Sequence, residues 1–293
     1  MSTIAVLITC HNRKVQTIAC LDRLFSQLLP QSNTLSVFLV DDGCTDGTVE
    51  AVASSYPVVR ILRGDGSLFW NGGMRVAFAE AMRSDFDYYL WLNDDTSLYP
   101  KALSTLLGAS ERLQQGSKNA ILVGSTCDPL CGGWTYGGFS LQRSWRRMAL
   151  LPIQPLPNEL QTCDTMNGNC ILIPRAIAKK VGNLDASFRH GMGDFDYGFR
   201  ARASGFEIYV AAGFVGTCGV NPTEGTWRDR TVSFTARWRN LVSAKVLPPK
   251  EWMLYTRRHY GPRWPLYAFS PYLKTILGIG LRTNALKTRR TKP

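Results

Sequence analysis

A chain of 293 residues, 45% of them hydrophobic, can bury one sizeable core and is too short for three ordinary domains. Its net charge of +12 is not spread evenly: 13 Lys and Arg lie from Thr231 onward against the single acid Glu251, leaving 21 charges of each sign before that point. The surplus is an address carried by the tail, not a property of the fold, and no nucleic-acid-binding motif accompanies it. The apolar run 4–9 is strand-sized, so no signal peptide is expected, and no run reaches the ~20 apolar residues of a spanning helix. The eight cysteines (10, 20, 44, 127, 131, 163, 170 and 218) show no CxxC pair and no zinc-ligand spacing, which points to reduced thiols in a cytoplasmic protein.

In chain order, short apolar runs predict strands over 4–8, 37–40, 58–62, 88–92 and 120–124. Helical spacing predicts helices between them over 15–29, 48–55, 73–82 and 101–115. Residues 127–157, rich in Gly, Pro, Trp and Arg, read as loops. Regularity returns with a strand over 169–173, helices over 174–181 and 195–203, and a strand over 207–211. Helical segments broken by Pro248-Pro249 and Gly261-Pro262 follow Thr231. Strands alternating with helices imply an α/β fold with a mostly parallel sheet covered on both faces, and ligands collect beyond the carboxyl ends of such strands. We therefore expect a catalytic domain over 1–230, with a nucleotide half at 1–125 and an acceptor half at 126–230. A basic, aromatic-rich helical extension over 231–293 completes the chain.

Three acidic clusters fall where such a sheet places a site. Asp41-Asp42-Gly43-Cys44-Thr45-Asp46 follows the second strand; its carboxylates suit ribose hydroxyls or a base N–H, or else form a polar turn that caps the next helix. Asn93-Asp94-Asp95 ends the apolar run Tyr88 to Leu92. Adjacent carboxylates repel unless a cation or donors intervene, and hard oxygens suit Mg²⁺ or Mn²⁺ shared with substrate phosphates. Gly193-Asp194-Phe195-Asp196 opens a helix, either as dipole and capping residues or with a general base among them.

Taken together and in order, these residues resemble glycosyltransferase family 2: Thr9-Cys10-His11-Asn12-Arg13 after the first strand, Val40 to Asp46 after the second, Asn93-Asp94-Asp95, and Asp194-Phe195-Asp196 before Arg200 and Arg202. The stretch from Ser67 through Trp70, Asn71, Gly72, Gly73 and Met74 resembles bacterial rhamnosyltransferase-like members that build surface polysaccharide. The likeness runs from about residue 4 to about residue 219 and implies a GT-A-type, Rossmann-like sheet. It implies that Thr9, His11, Arg13 and Asp42 line the nucleotide, that Asp94 meets the ribose, and that Asp95 ligates Mn²⁺ or Mg²⁺. Trp70, Asn71, Gly72 and Gly73 would approach the donor sugar or diphosphate, and Asp194 would be the base for inverting transfer. Trp134, Gly193 and Asp196 are acceptor-side candidates, with loop packing the favoured reading of Trp134. The implied donor is a nucleoside-diphosphate sugar, dTDP-rhamnose or a UDP-hexose, and the acceptor a glycan or isoprenoid-diphosphate-linked glycan in surface polysaccharide or O-antigen synthesis.

Three positions depart from the family: His11 where an aromatic is common, Gly193 where Glu is usual, and Thr217-Cys218-Gly219 where many relatives carry His. Trp145, Arg146 and Arg147 read as a phosphate clamp or as loop packing. Arg, Trp and Tyr interleaved from Arg257 to Pro265, followed by apolar residues to Leu281, suit an anionic membrane surface, placing the enzyme at the inner face of the cell membrane. The other reading is a tail packed on the core or on a second subunit. Two rival functions remain: a nucleotidyltransferase, which needs a Gly-rich basic loop where this chain has Thr9 to Arg13, and a silent binding module, for which loss of Asp94, Asp95 or Asp194 would speak.

Overall fold

The computed structural model describes residues 2–30, 32–143, 148–220, 227, 229 and 231–279. Two compact units divide the chain, Met1–Val220 and Asn221–Pro293. The first begins β1 (Thr3–Cys10), α1 (Lys14–Phe25), β2 (Thr34–Asp41), α2 (Thr48–Ser55), β3 (Arg60–Arg63), α3 (Phe69–Ala81) and β4 (Tyr88–Leu92). It continues through β5 (Ser97–Leu98), α4 (Ala102–Gln115), β6 (Ala120–Cys127), β7 (Trp134–Tyr136), β8 (Gly138–Arg143) and β9 (Met148–Pro152). Then come β10 (Gln161–Thr162), β11 (Thr165–Met166), β12 (Cys170–Pro174), α5 (Arg175–Val181), α6 (Gly193–Ala203) and β13 (Glu207–Thr217).

The main sheet runs β10-β13-β6-β12-β4-β1-β2-β3. Strands β4, β1, β2 and β3 are mutually parallel, as are β13 and β6, while β12 enters antiparallel between β6 and β4. Side chains alternate across the sheet, so one strand feeds two cores. Ile4, Val6 and Ile8 of β1 pack with Leu21 and Leu24 of α1 and Leu103 and Leu106 of α4. Ala5 and Leu7 face the other side, with Met74 and Phe78 of α3, Ile177 of α5 and Tyr197 of α6. Burial on both faces is why these strands read as continuous apolar runs. All five residues of β4 are buried, Trp91 among the largest.

Register brings the site to one edge. Cys10 pairs with Asp41 and Cys170 with Leu92, so the segments 9–13, 41–48, 93–95 and 167–169 leave the sheet side by side. Two expectations need correction. Residues 127–157 are not all loop: β8 and β9 form an antiparallel hairpin that β11 extends to three strands. One partner lies more than 20 residues away in sequence, and a strand completed by a distant neighbour leaves a weak local signal. The suggested clamp at 145–147 lies outside the described residues. Helix α3 begins at Phe69 rather than 73, because a distant carboxylate satisfies its first amides.

The second unit comprises α7 (Phe234–Leu241), α8 (Pro249–His259), a 3₁₀ turn at Gly261–Arg263 and α9 (Trp264–Ile276). Among the described residues, no helix is long and apolar enough to cross a membrane.

Candidate active site

The loops after β1 and β2 are stitched together. Asn12, with a positive φ of 52°, accepts from the Thr45 amide through Oδ1 at 2.7 Å. The exposed His11 ring donates from Nδ1 to the Asp42 carbonyl at 2.5 Å, which fixes the proton on that nitrogen and leaves Nε2 as an acceptor. Asp41 Oδ1 accepts from the Cys44 amide at 2.7 Å, closing the turn. Asp42, only 3% exposed, accepts from the amides of Gly66 (2.9 Å), Leu68 (3.2 Å) and Phe69 (3.0 Å). These include two of the amides a helix start leaves without intrahelical partners, so Asp42 ties β2 to α3. Gly73 of α3 lies directly over Thr9: a Cβ there would collide with the Thr9 side chain, so glycine sets how closely helix and strand approach.

At the end of β4, Arg13 spans the acidic pair, with Nη1 on Asp94 Oδ1 at 3.1 Å and Nη2 on Asp95 Oδ2 at 2.6 Å. Asp94 is nearly buried while Asp95 retains 22% side-chain exposure. Burial pushes the Asp94 carboxyl up to about 7, opposed by Arg13 and reinforced by the neighbouring Asp95. The Cys218 thiol donates to Asp95 Oδ1 at 3.5 Å and accepts from Asn169 Nδ2 at 3.5 Å. Burial, with Asp95 beside it, pushes that thiol up to about 12, so it stays protonated. Among the described residues no group of three or more His, Cys, Asp or Glu could cage a metal. A partly exposed carboxylate beside a second one is nevertheless the donor set expected for Mg²⁺ or Mn²⁺ completed by substrate phosphate oxygens. The residues present therefore fit a shared ion.

Asp194 sits in the first turn of α6, positioned by the left-handed Met192 (φ 69°). Its Oδ2 accepts from the Gly168 amide at 3.0 Å and its Oδ1 from the Phe195 amide at 2.9 Å. The side chain keeps a partial opening to solvent but is densely enclosed, and that desolvation pushes its carboxyl up to about 6 against the two amides. A chain of contacts joins it to the acidic pair. Trp70 covers Gly168 so closely that a Cβ there would strike the indole, and Trp70 Nε1 donates to Asn93 Oδ1 at 2.7 Å. The Asn93 amide bonds the Asn169 carbonyl at 3.0 Å.

Other candidates have structural partners. Asn71 is fully buried and donates to the carbonyls of Asp185 (2.9 Å) and Phe188 (2.5 Å); its Oδ1 has no hydrogen-bond partner among the described residues. A Cβ at Gly193 would run into this Asn71 amide, coming within 2.6 Å of its Cγ. A Glu at 193 is therefore incompatible with Asn71 at this packing distance. Gly72 stacks over Leu68. Asp196 is fully buried and accepts from Arg200 Nε at 2.8 Å, while Arg200 also donates to the carbonyls of Val181 and Asn183. Trp134 packs edge-on against Phe139, which in turn meets Phe195. Arg75 donates to the Leu184 carbonyl. Asn93, Gly168, Asn169 and Cys218 stand beside the site, although sequence reasoning gave Asn93 no role. Their signal was position: each lies within two residues of a strand end.

The family model for Glycosyl transferase family 2 matches residues 5–124. An N-acetylglucosaminyl-diphospho-decaprenol L-rhamnosyltransferase of Mycobacterium tuberculosis (strain ATCC 25618 / H37Rv) is 27% identical over 217 residues, 65% of this chain and 69% of the relative. S. aureus TarS in complex with UDP superposes with a TM-score of 0.58 at 14% identity, covering 95% of this chain and 76% of that one. The mannosyltransferase PcManGT from Pyrobaculum calidifontis, in complex with GDP-Man and Mn²⁺, does so with a TM-score of 0.55 at 14% identity, covering 93% and 68%. At such identities these two structures speak for the fold alone, which is GT-A. Residues 5–124 thus match the family that the sequence motifs resemble, and both the matched relative and the superposed mannosyltransferase are glycosyltransferases by name.

Proposed function

We propose that the protein is an inverting glycosyltransferase that moves a sugar, rhamnose foremost, from a nucleoside-diphosphate donor to a hydroxyl of a lipid-linked diphospho-sugar acceptor. The observation that carries this reading is the run of contacts from Arg13 and the Asp94–Asp95 pair through Asn93, Trp70 and Gly168 to Asp194. A donor-side acidic pair and a second carboxylate with a raised pKa are the two halves that inverting transfer requires. The rhamnosyltransferase relative, whose name specifies an N-acetylglucosaminyl-diphospho-decaprenol acceptor, supports the sugar and acceptor class.

In this reading Asp194 accepts the proton of the acceptor hydroxyl as that oxygen bonds to the anomeric carbon and the bond to the diphosphate breaks. Gly168 and Phe195 amides hold the carboxylate in place and share its charge once ionised. Asp95, backed by Asp94, would hold a divalent ion, which when bound offsets the charge growing on the leaving diphosphate. Arg13 keeps the two carboxylates together and screens their repulsion. The 9–13 and 41–46 loops frame the nucleoside, with the exposed His11 ring free to stack on a base.

The test is nucleoside-diphosphate release from a panel of dTDP-, UDP- and GDP-sugars with Mn²⁺ or Mg²⁺ and a polyprenyl-diphosphate-GlcNAc acceptor. We expect turnover with dTDP-rhamnose and loss of at least about 100-fold in Asp194→Asn with donor affinity retained. Wild-type turnover by Asp194→Asn removes that residue as base, and pyrophosphate release from a nucleoside triphosphate would replace the reading with nucleotidyl transfer.

A further inference from the structure

Helix α9 has two unlike faces. Ala268 and Thr275 are buried, the Tyr267 carbonyl accepts from Trp252 Nε1 of α8 at 3.2 Å, and the Tyr272 hydroxyl donates to the Leu247 carbonyl at 2.7 Å. On the other face Leu266 (71% exposed), Phe269, Leu273, Ile276 and Leu277 all stand in solvent. At about 100° per residue these five fall within one arc of about 100°, opposite the packed side. Ile279, also exposed, extends the row beyond the helix end. An unbroken apolar stripe of this size on a water-facing helix is a docking surface and not the scatter of single exposed residues found on any protein.

Charge selects the occupant. Exposed Arg257 and Lys274 belong to the same unit as the stripe, and from Thr231 to the end the sequence carries 13 bases and one acid. A second copy placed on the stripe would bring the same positive surplus against itself. An anionic bilayer supplies both an apolar layer for the stripe and opposite charge for its surroundings. At 13 residues α9 is about 20 Å long, short of the ~30 Å hydrocarbon core, so it lies along a membrane and does not cross it. We propose that the exposed face of α9 seats in the headgroup–acyl boundary of an anionic membrane, helix axis parallel to the surface, with Arg257 and Lys274 at headgroup depth. This rests on the second unit alone and not on the transfer reading.

Co-sedimentation of the full chain with vesicles tests it, comparing pure phosphatidylcholine with a mixture containing about one third phosphatidylglycerol. The wild type should pellet with the anionic vesicles and far less with the neutral ones. Phe269→Ser/Leu273→Ser should lower partitioning at least about tenfold with an unchanged melting temperature, since both positions are in solvent. Arg257→Gln/Lys274→Gln should lower it by about fivefold per charge at low salt and make it less salt-sensitive. The proposal falls if the wild type ignores anionic vesicles, if the Phe269→Ser/Leu273→Ser variant binds like wild type, or if light scattering shows a dimer that this variant dissociates while vesicle binding is absent. Because no turnover is measured, none of these failures touches the glycosyl-transfer reading.

Discussion

At the scale of single residues, the site is set by where amides and glycines stand around a few carboxylates. Enclosure outweighs two amide donors at Asp194 and pushes its carboxyl up to about 6, and the base proposed here must be ionised to act. The rate of transfer should therefore rise with pH along a limb centred near 6, measured as kcat/KM against pH. The same shift has a stability sign. The folded carboxyl is raised above its ordinary 3.8, so the folded state holds the proton more tightly than the unfolded chain does. The benefit is complete below the unfolded pKa and lost as pH rises through about 6. Asp194→Asn should be more stable than wild type at pH values well above 6, by on the order of 2 kcal/mol in denaturant titrations, with the difference vanishing below about pH 4. Gly193→Ala should destabilise by about 1–3 kcal/mol, because its methyl group meets the buried Asn71 amide, while Gly193→Ala/Asn71→Ala should recover part of the loss. Sequence alone registered Gly193 as a departure from the family and an acceptor-side candidate; the neighbour that excludes a side chain is 122 residues away.

Elements join these residues. β4 and β12 are antiparallel neighbours whose ends deliver Asn93 and Asn169 to one edge, and α3 lays Trp70 across both segments. Trp70→Phe removes the benzo edge that covers Gly168 and leaves Asn93 Oδ1 without its indole donor. We expect a stability loss of about 1–2 kcal/mol by thermal or chemical unfolding, and a drop of about tenfold in kcat exceeding any change in KM. α3 itself begins four residues before its sequence signal, because Asp42 fills the role of a cap from another strand. Three of the four non-glycine residues with positive φ, Asn12, Phe69 and Met192, introduce Arg13, α3 and α6 respectively. Such backbone costs of order 1–3 kcal/mol each and concentrates where side chains must be aimed.

For the molecule as a whole, the end of β4 offers two adjacent carboxylates and no group of three or more His, Cys, Asp or Glu among the described residues, so in the proposed reading ion and nucleotide should bind as partners. In differential scanning fluorimetry Mn²⁺ alone and dTDP or UDP alone should each shift the melting temperature little, whereas both together should shift it by more than the sum. Equal shifts for Mn²⁺ with and without nucleotide would show an all-protein metal site instead. Much of this architecture is legible in one dimension. Doubly buried strands advertise themselves as apolar runs, and the acids that follow them are marked by position, so β1, β2, β4 and β6 and the clusters at 41–46, 93–95 and 194–196 could be located by reading. The basic tail was equally plain from charge alone. What residue order could not reveal is which polar group each acid meets, since hydrogen bonds span 20 to 120 residues here. Folding gave Asp42 to the start of α3, Cys218 to Asp95 and Asp194 to Gly168, and it turned α9 so that its apolar row faces water. Local pattern encodes whether a residue is inside or outside an element; only packing in three dimensions decides its partner, and partners set charge, proton affinity and reach.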